Sequence, residues 1–123
     1  MSSLFPELDE TIFIKNLRNE KPKEKTDFKV DRSTPLGNPF PMKFESERDS
    51  VCDDYSNYWL KLIEVPEKAE FFNKLLEAYK TNGEISLFCW CAPRRCHAET
   101  IKSHLLQAAK NSNQAISLAE GVN

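Results

Sequence analysis

Between Glu84 and His97 the chain reads Glu84-Ile85-Ser86-Leu87-Phe88-Cys89-Trp90-Cys91-Ala92-Pro93-Arg94-Arg95-Cys96-His97. Three cysteines, two arginines and a histidine in so short a stretch could support three kinds of chemistry. By residue type, Cys89, Cys91, Cys96 and His97 are acceptable zinc ligands. Their spacing lacks a Cys-x-x-Cys knuckle, so no metal or other cofactor is favoured and zinc stands as an alternative. Cys96 beside Arg94 and Arg95, at the start of a helix, would have a depressed pKa and be a candidate nucleophile. Cys96 and His97 are the candidate catalytic residues, but a base is not evident: an i,i+1 neighbour rarely supplies one, and His104 lies about two turns on, roughly 10 Å away. Anion binding is the third chemistry and the favoured one. A helix start offers free N–H groups, and Arg94 and Arg95 add forked cationic donors.

A second loop could complete such a site. Asp27-Phe28-Lys29-Val30-Asp31-Arg32 alternates polar and apolar, the pattern of a strand with one buried face. It runs into Ser33-Thr34-Pro35-Leu36-Gly37-Asn38-Pro39-Phe40-Pro41, a proline-stiffened loop. There Gly37 can adopt positive φ and Asn38 is pushed extended by Pro39. This loop could turn several N–H groups one way as an anion nest, with Arg32 as its cation. Trp90, Phe40 or Tyr55 could stack on a flat ring held between the loops. The expected ligand-binding set is therefore Arg32, Gly37, Asn38, Arg94, Arg95, Cys96 and His97.

The elements that must position these loops are readable from periodicity. Thr11-Ile12-Phe13-Ile14 begins a short strand, and residues 19–26 form a charged loop. Ser46 is a credible N-cap for a helix whose stripe is Val51, Tyr55, Tyr58, Trp59, Leu62 and Ile63. Pro66 suits the first turn of a second helix that stops at Asn82-Gly83. Residues 85–91 read as a central strand apolar on both faces, with helices expected on both sides. A last helix runs from His97 to Lys110 and ends at Asn111-Ser112-Asn113. Residues 1–10 read as a lead-in and 111–123 as a weakly structured tail. The order β-β-α-α-β-α predicts a single α/β domain, a small sheet of three or more strands covered by helices. Ligands collect at the carboxyl ends of strands in such sheets, and both loops leave carboxyl ends.

Composition narrows the function classes. A net charge of -2 argues against general nucleic-acid binding, which calls for a basic surface. No stretch approaches the ~20 apolar residues of a membrane helix. With no secretory leader evident, four cysteines, three of them inside eight residues, point to reduced thiols and a cytoplasmic setting.

Two boxes, Arg32 with Gly37-Asn38-Pro39-Phe40 and Cys89-Trp90-Cys91-Ala92-Pro93 with Cys96-His97, resemble an uncharacterised domain-of-unknown-function family found in bacteria and their phages. Its members carry a tryptophan-GNPF box early and a CWC-x-P-x-x-CH box late. Here Leu36 stands where the family has tryptophan, and the linker between the first two strands is longer. The resemblance spans about residues 27 to 108. It implies that Arg32, Asn38, Cys89, Cys91, Cys96 and His97 share a site, and suggests a phage accessory protein acting in the host cytoplasm on nucleotides or antiviral nucleotide signals.

The leading expectation is a small protein that binds, and sequesters, a nucleotide-like or phosphorylated ligand. One alternative is an enzyme on nucleotides or nucleic-acid ends, using Cys96 or His97. Another is a zinc-stabilised module that binds a host protein.

Overall fold

The computed structural model of the chain describes residues 11–92 and 94–122, with side chains through Asn111. The lead-in 1–10, Pro93 and the side chains of the tail lie outside the described residues. Strands β1 (Ile12–Asn16), β2 (Asp27–Lys29) and β3 (Ile85–Cys89) form one sheet. Its order is β1-β3-β2, and β3 runs parallel to both neighbours. The most apolar strand takes the centre because both its faces must be covered, and all five of its residues are buried. Ile85, Leu87 and Cys89 enter the main core with Tyr55, Trp59, Leu75, Ile101 and Leu105, so helices cover the sheet.

The helices follow the sequence pattern with three differences. The expected helix from Ser46 is a 3-10 turn (Glu45–Glu47), then α1 (Arg48–Asn57) and α2 (Trp59–Leu62), divided at Tyr58. Ser46 is not the cap. The Glu47 carboxylate reaches back and accepts the N–H groups of Lys43 (2.8 Å) and Phe44 (3.2 Å), because a glutamate one turn in can satisfy donors that a serine inside the turn cannot reach. Helix α3 (Pro66–Asn82) has Pro66 in its first turn and ends on Gly83 at φ 80°, as the sequence predicts. The last helix, α4 (Ala98–Val122), continues past the expected stop at Asn111-Ser112-Asn113. Asparagine and serine cost only a fraction of a kcal/mol each in a helix, and the alanines and leucine that follow favour it.

Strand β3 stops at Cys89, two residues short of the expected end, so Cys91 sits in a loop rather than on the strand face below Cys89. The 19–26 segment is irregular, turned by the Asp27 carboxylate, which accepts the N–H groups of Lys23 (2.9 Å) and Glu24 (3.0 Å).

The proline loop is held from several directions. Tyr55, fully buried, donates its hydroxyl to the Leu36 carbonyl at 2.8 Å, and Lys68 donates to the Pro35 carbonyl at 2.8 Å. Arg32 clasps the carbonyls of Asn38 and, at 2.8 Å, Phe40. Gly37 is needed for close approach rather than for positive φ, which among the described residues belongs to Gly83. A Cβ at Gly37 would stand 2.4 Å from the Asp31 carbonyl oxygen and 2.5 Å from Arg32 Cα, and neither backbone atom can swing away. Gly37→Ala is therefore expected to cost about 1–3 kcal/mol, the usual range for overpacking. In a thermal melt it should lower Tm by several degrees; a variant melting with the wild type would contradict the packing described.

Candidate functional site

Because β2 and β3 are parallel neighbours, the 31–42 and 90–97 loops leave the same edge of the sheet. They enclose a cavity of about 340 Å³ with the start of α1. Arg32, Asn38, Cys89, Cys91, Cys96 and His97 line it, which gathers the residues of the two sequence boxes into one place. Gly37, Arg94 and Arg95 do not. Gly37 packs beneath the loop. Arg94 pairs with Glu45 (3.1 Å), and Arg95 bridges Asp49 (3.2 Å) and Asp53 (2.7 Å) on α1. These arginines staple the second loop to the first helix instead of facing the cavity.

Three further connections hold the loops in place, two of them running from one loop region to the other. His97 Nε2 bonds the Val30 carbonyl just after β2, which makes Nε2 the protonated nitrogen because a carbonyl can only accept. Trp90 Nε1 donates to Asp31 at 3.0 Å. Asn16, ending β1, donates to the Ala92 carbonyl at 2.6 Å.

The N–H groups of Ser33, Thr34, Gly37 and Phe40 all have acceptors within their own loop. The Ala98 N–H faces Cys96 Sγ at 3.5 Å, and the Glu99 N–H bonds the Cys96 carbonyl. The anion nest and the free helix start expected from sequence are thus engaged internally. The cations facing the cavity are Arg32 and Arg48.

Arg48, Asp31 and Asn16 are the residues that sequence reasoning missed. Arg48 carries a usable signal: a cation in the first turn of a helix opposes the macrodipole and calls for a local reason. Here it pairs with Glu45 and donates to the Arg95 carbonyl at 2.9 Å. Asp31 is buried, and burial alone would raise its pKa. Hydrogen bonds from Ser33 and Trp90 outweigh that and hold it below the usual carboxylate value, so the cavity contains a fixed negative charge.

Three of the sulfurs, those of Cys89, Cys91 and Cys96, border the same cavity beside His97. Cys96 is 3% exposed and Cys89 1%, whereas Cys91 is partly open to the cavity. Cys96 Sγ lies 3.4 Å from His97 Nδ1, and hydrogen bonding among the thiols shifts their ionisation. The bond from Cys96, opposed by burial and reinforced by Arg48, brings Cys91 down to about 5. The bond from Cys96, opposed by burial, also lowers Cys89. Adjacent thiolates repel, so the first ionisation settles on Cys91 beside the guanidinium. Donation to its neighbours, then burial, pushes Cys96 up. The depressed thiol expected at Cys96 therefore lies at Cys91, through hydrogen bonding from Cys96 first and the Arg48 guanidinium second, while Arg94 and Arg95 pair elsewhere. Among the described residues no group of three His, Cys, Asp or Glu is placed to hold a metal ion.

The rest of the expected aromatic set divides. Trp90 lines the cavity and is half exposed. Tyr55 is core, and Phe40 packs edge-on against Tyr58 with centroids 5.6 Å apart. Leu36 is core as well, so it offers no stacking surface.

Residues 14–107 match a family described as "Domain of unknown function (DUF4326)". The chain belongs to this family. The match spans both loops and every strand end that builds the cavity. No curated protein and no solved structure matches the chain. Among the described residues no helix is long and apolar enough to cross a membrane.

Burial lowers the His97 pKa, and the bond to Val30 offsets only part of this; burial lowers His104 in the same direction. The unfolded chain then takes up protons near pH ~6.5 that the folded chain refuses. Stability is thus full above that pH and falls as pH drops towards 5. Tm measured across this interval should decline less steeply in His97→Gln, which can still donate to Val30. An unchanged slope would show that His97 is not held neutral.

Proposed function

We propose that the cavity binds a nucleotide-like or other phosphorylated small molecule. The observation that carries this reading is the lining itself: two guanidiniums, one buried carboxylate, an amide and an indole converge on one cavity at the carboxyl edge of a parallel sheet. At about 340 Å³ the space falls within the range of small-molecule sites. A nucleotide has the matching parts, with an anionic group for Arg48 or Arg32, ring N–H or ribose hydroxyl donors for Asp31, and a flat face for Trp90. Met42 and Val51 supply apolar wall.

Asp31 is the single carboxylate in that lining, so paired acid–base chemistry has no second partner there. This favours binding without turnover, the behaviour of a sequestering protein, and fits a host nucleotide signal as ligand. The enzyme reading based on Cys96 and His97 has less support. Cys96 is buried with a raised pKa, and His97 is buried and tied to Val30.

The test is a thermal melt against nucleosides and their phosphates. Ligand at a hundred times its Kd stabilises by about 2.7 kcal/mol, so nucleotides should raise Tm by several degrees. Arg48→Gln should weaken phosphorylated ligands about tenfold or more, the scale of one charge-assisted contact, and leave any shift by unphosphorylated nucleosides unchanged. Absence of a shift with every phosphorylated ligand at millimolar concentration would overturn the reading.

A further inference from the structure

We propose that Cys91 and Cys96 form a redox-active dithiol that reduces a low-molecular-weight disulfide entering the cavity. Cys91 attacks, Cys96 resolves, and His97 Nδ1 receives the resolving thiol's proton.

The geometry assigns these roles separately. Cys89, Cys91 and Cys96 all line the cavity, and of these Cys91 is the partly exposed one while Cys89 and Cys96 are buried. Arg48 lies against Cys91 and stabilises its thiolate. Cys96 lines the same cavity as Cys91, so a second sulfur borders the space that the first one faces. Because Nε2 of His97 is committed to the Val30 carbonyl, Nδ1 is the unprotonated nitrogen, and it lies 3.4 Å from Cys96 Sγ. Cys52 also borders the cavity, but burial raises its pKa, which leaves it a poor competitor. Attack by an accessible thiolate followed by a sheltered neighbour is the sequence that thiol–disulfide exchange requires.

The reaction balances without any other reagent. The Cys91 thiolate forms a bond to one sulfur of the small disulfide, whose S–S bond breaks and releases the first thiolate. Cys96 passes its proton to His97 Nδ1 and bonds to Cys91 Sγ, expelling the second thiolate. The proton moves from His97 to one of the released thiolates. Two electrons pass from the protein dithiol to the small disulfide, leaving a Cys91–Cys96 disulfide, one thiol and one thiolate. This chemistry stands apart from the ligand reading, since its readout is the state of the sulfurs.

The experiment exposes the reduced full-length protein to excess oxidised glutathione near pH 7, quenches with acid, alkylates the remaining thiols and maps the peptides. A Cys91–Cys96 disulfide with Cys52 and Cys89 alkylated is the expected result. Cys96→Ser should trap one glutathione on Cys91, Cys91→Ser should acquire neither modification, and His97→Gln should accumulate the mixed disulfide before resolution. Retention of all four thiols in the wild type, or glutathione on Cys52 or Cys89, would overturn the proposal. The wild-type map alone decides the matter if the Cys96 variant does not fold.

Discussion

A buried imidazole spans the two loops that carry the unusual chemistry. His97 opens the last helix, yet its Nε2 bonds the carbonyl of Val30, the residue just past β2. The ring is also in edge contact with Tyr55, whose hydroxyl holds the Leu36 carbonyl. Through these contacts the 90–97 loop, the proline loop and α1 form one packed unit. The parallel sheet makes this union achievable: β2 and β3 end on the same side, so a single side chain can cross from one loop to the other. Were the strands antiparallel, the two loops would leave opposite edges and no cavity would form between them.

Charge is distributed around this unit in two layers. The outer layer is structural, with Arg94 and Arg95 paired to Glu45, Asp49 and Asp53 at the surface. Exposed pairs of this kind are worth little individually, and their role is to fix the loop's position relative to α1. The inner layer faces the cavity, where Arg48 meets Cys91, and Asp31 is held mainly by hydrogen bonds from Ser33 and Trp90, with Lys29 a smaller attraction. One cavity thus offers both signs of charge at separate points, which favours a ligand with an anion and donors over a simple anion.

Much of this was legible in the sequence because β3 is written without ambiguity. A short run of mostly apolar β-formers between Gly83 and Pro93 reads as a central strand, and both unusual loops follow strand ends. The juxtaposition of Arg32 and Asn38 with Cys96 and His97 follows from that placement. What periodicity cannot show is which donors are already spent. Arg94 and Arg95 look free in a linear reading, and only the fold reveals Glu45, Asp49 and Asp53 beside them. The same limitation hid Arg48 and moved the low-pKa thiol from Cys96 to Cys91, since a thiol's pKa depends on three-dimensional neighbours rather than on adjacent letters. Gly37 reads in the sequence as a flexible ligand contact, yet it does not line the cavity; its constraint is a close backbone approach that no local pattern encodes.

The central claim is that the cavity between the two loops is where a nucleotide-like molecule sits, and the two tryptophans provide an internal comparison. Trp90 borders the cavity through an indole N–H bound to Asp31, whereas Trp59 is buried in the core and stacked on His104 with centroids 4.5 Å apart. In a proton–nitrogen correlation spectrum recorded during a nucleotide titration, the Trp90 indole resonance should move in a saturable manner while that of Trp59 stays fixed. Neither indole moving at millimolar ligand, or Trp59 responding while Trp90 does not, would contradict this account.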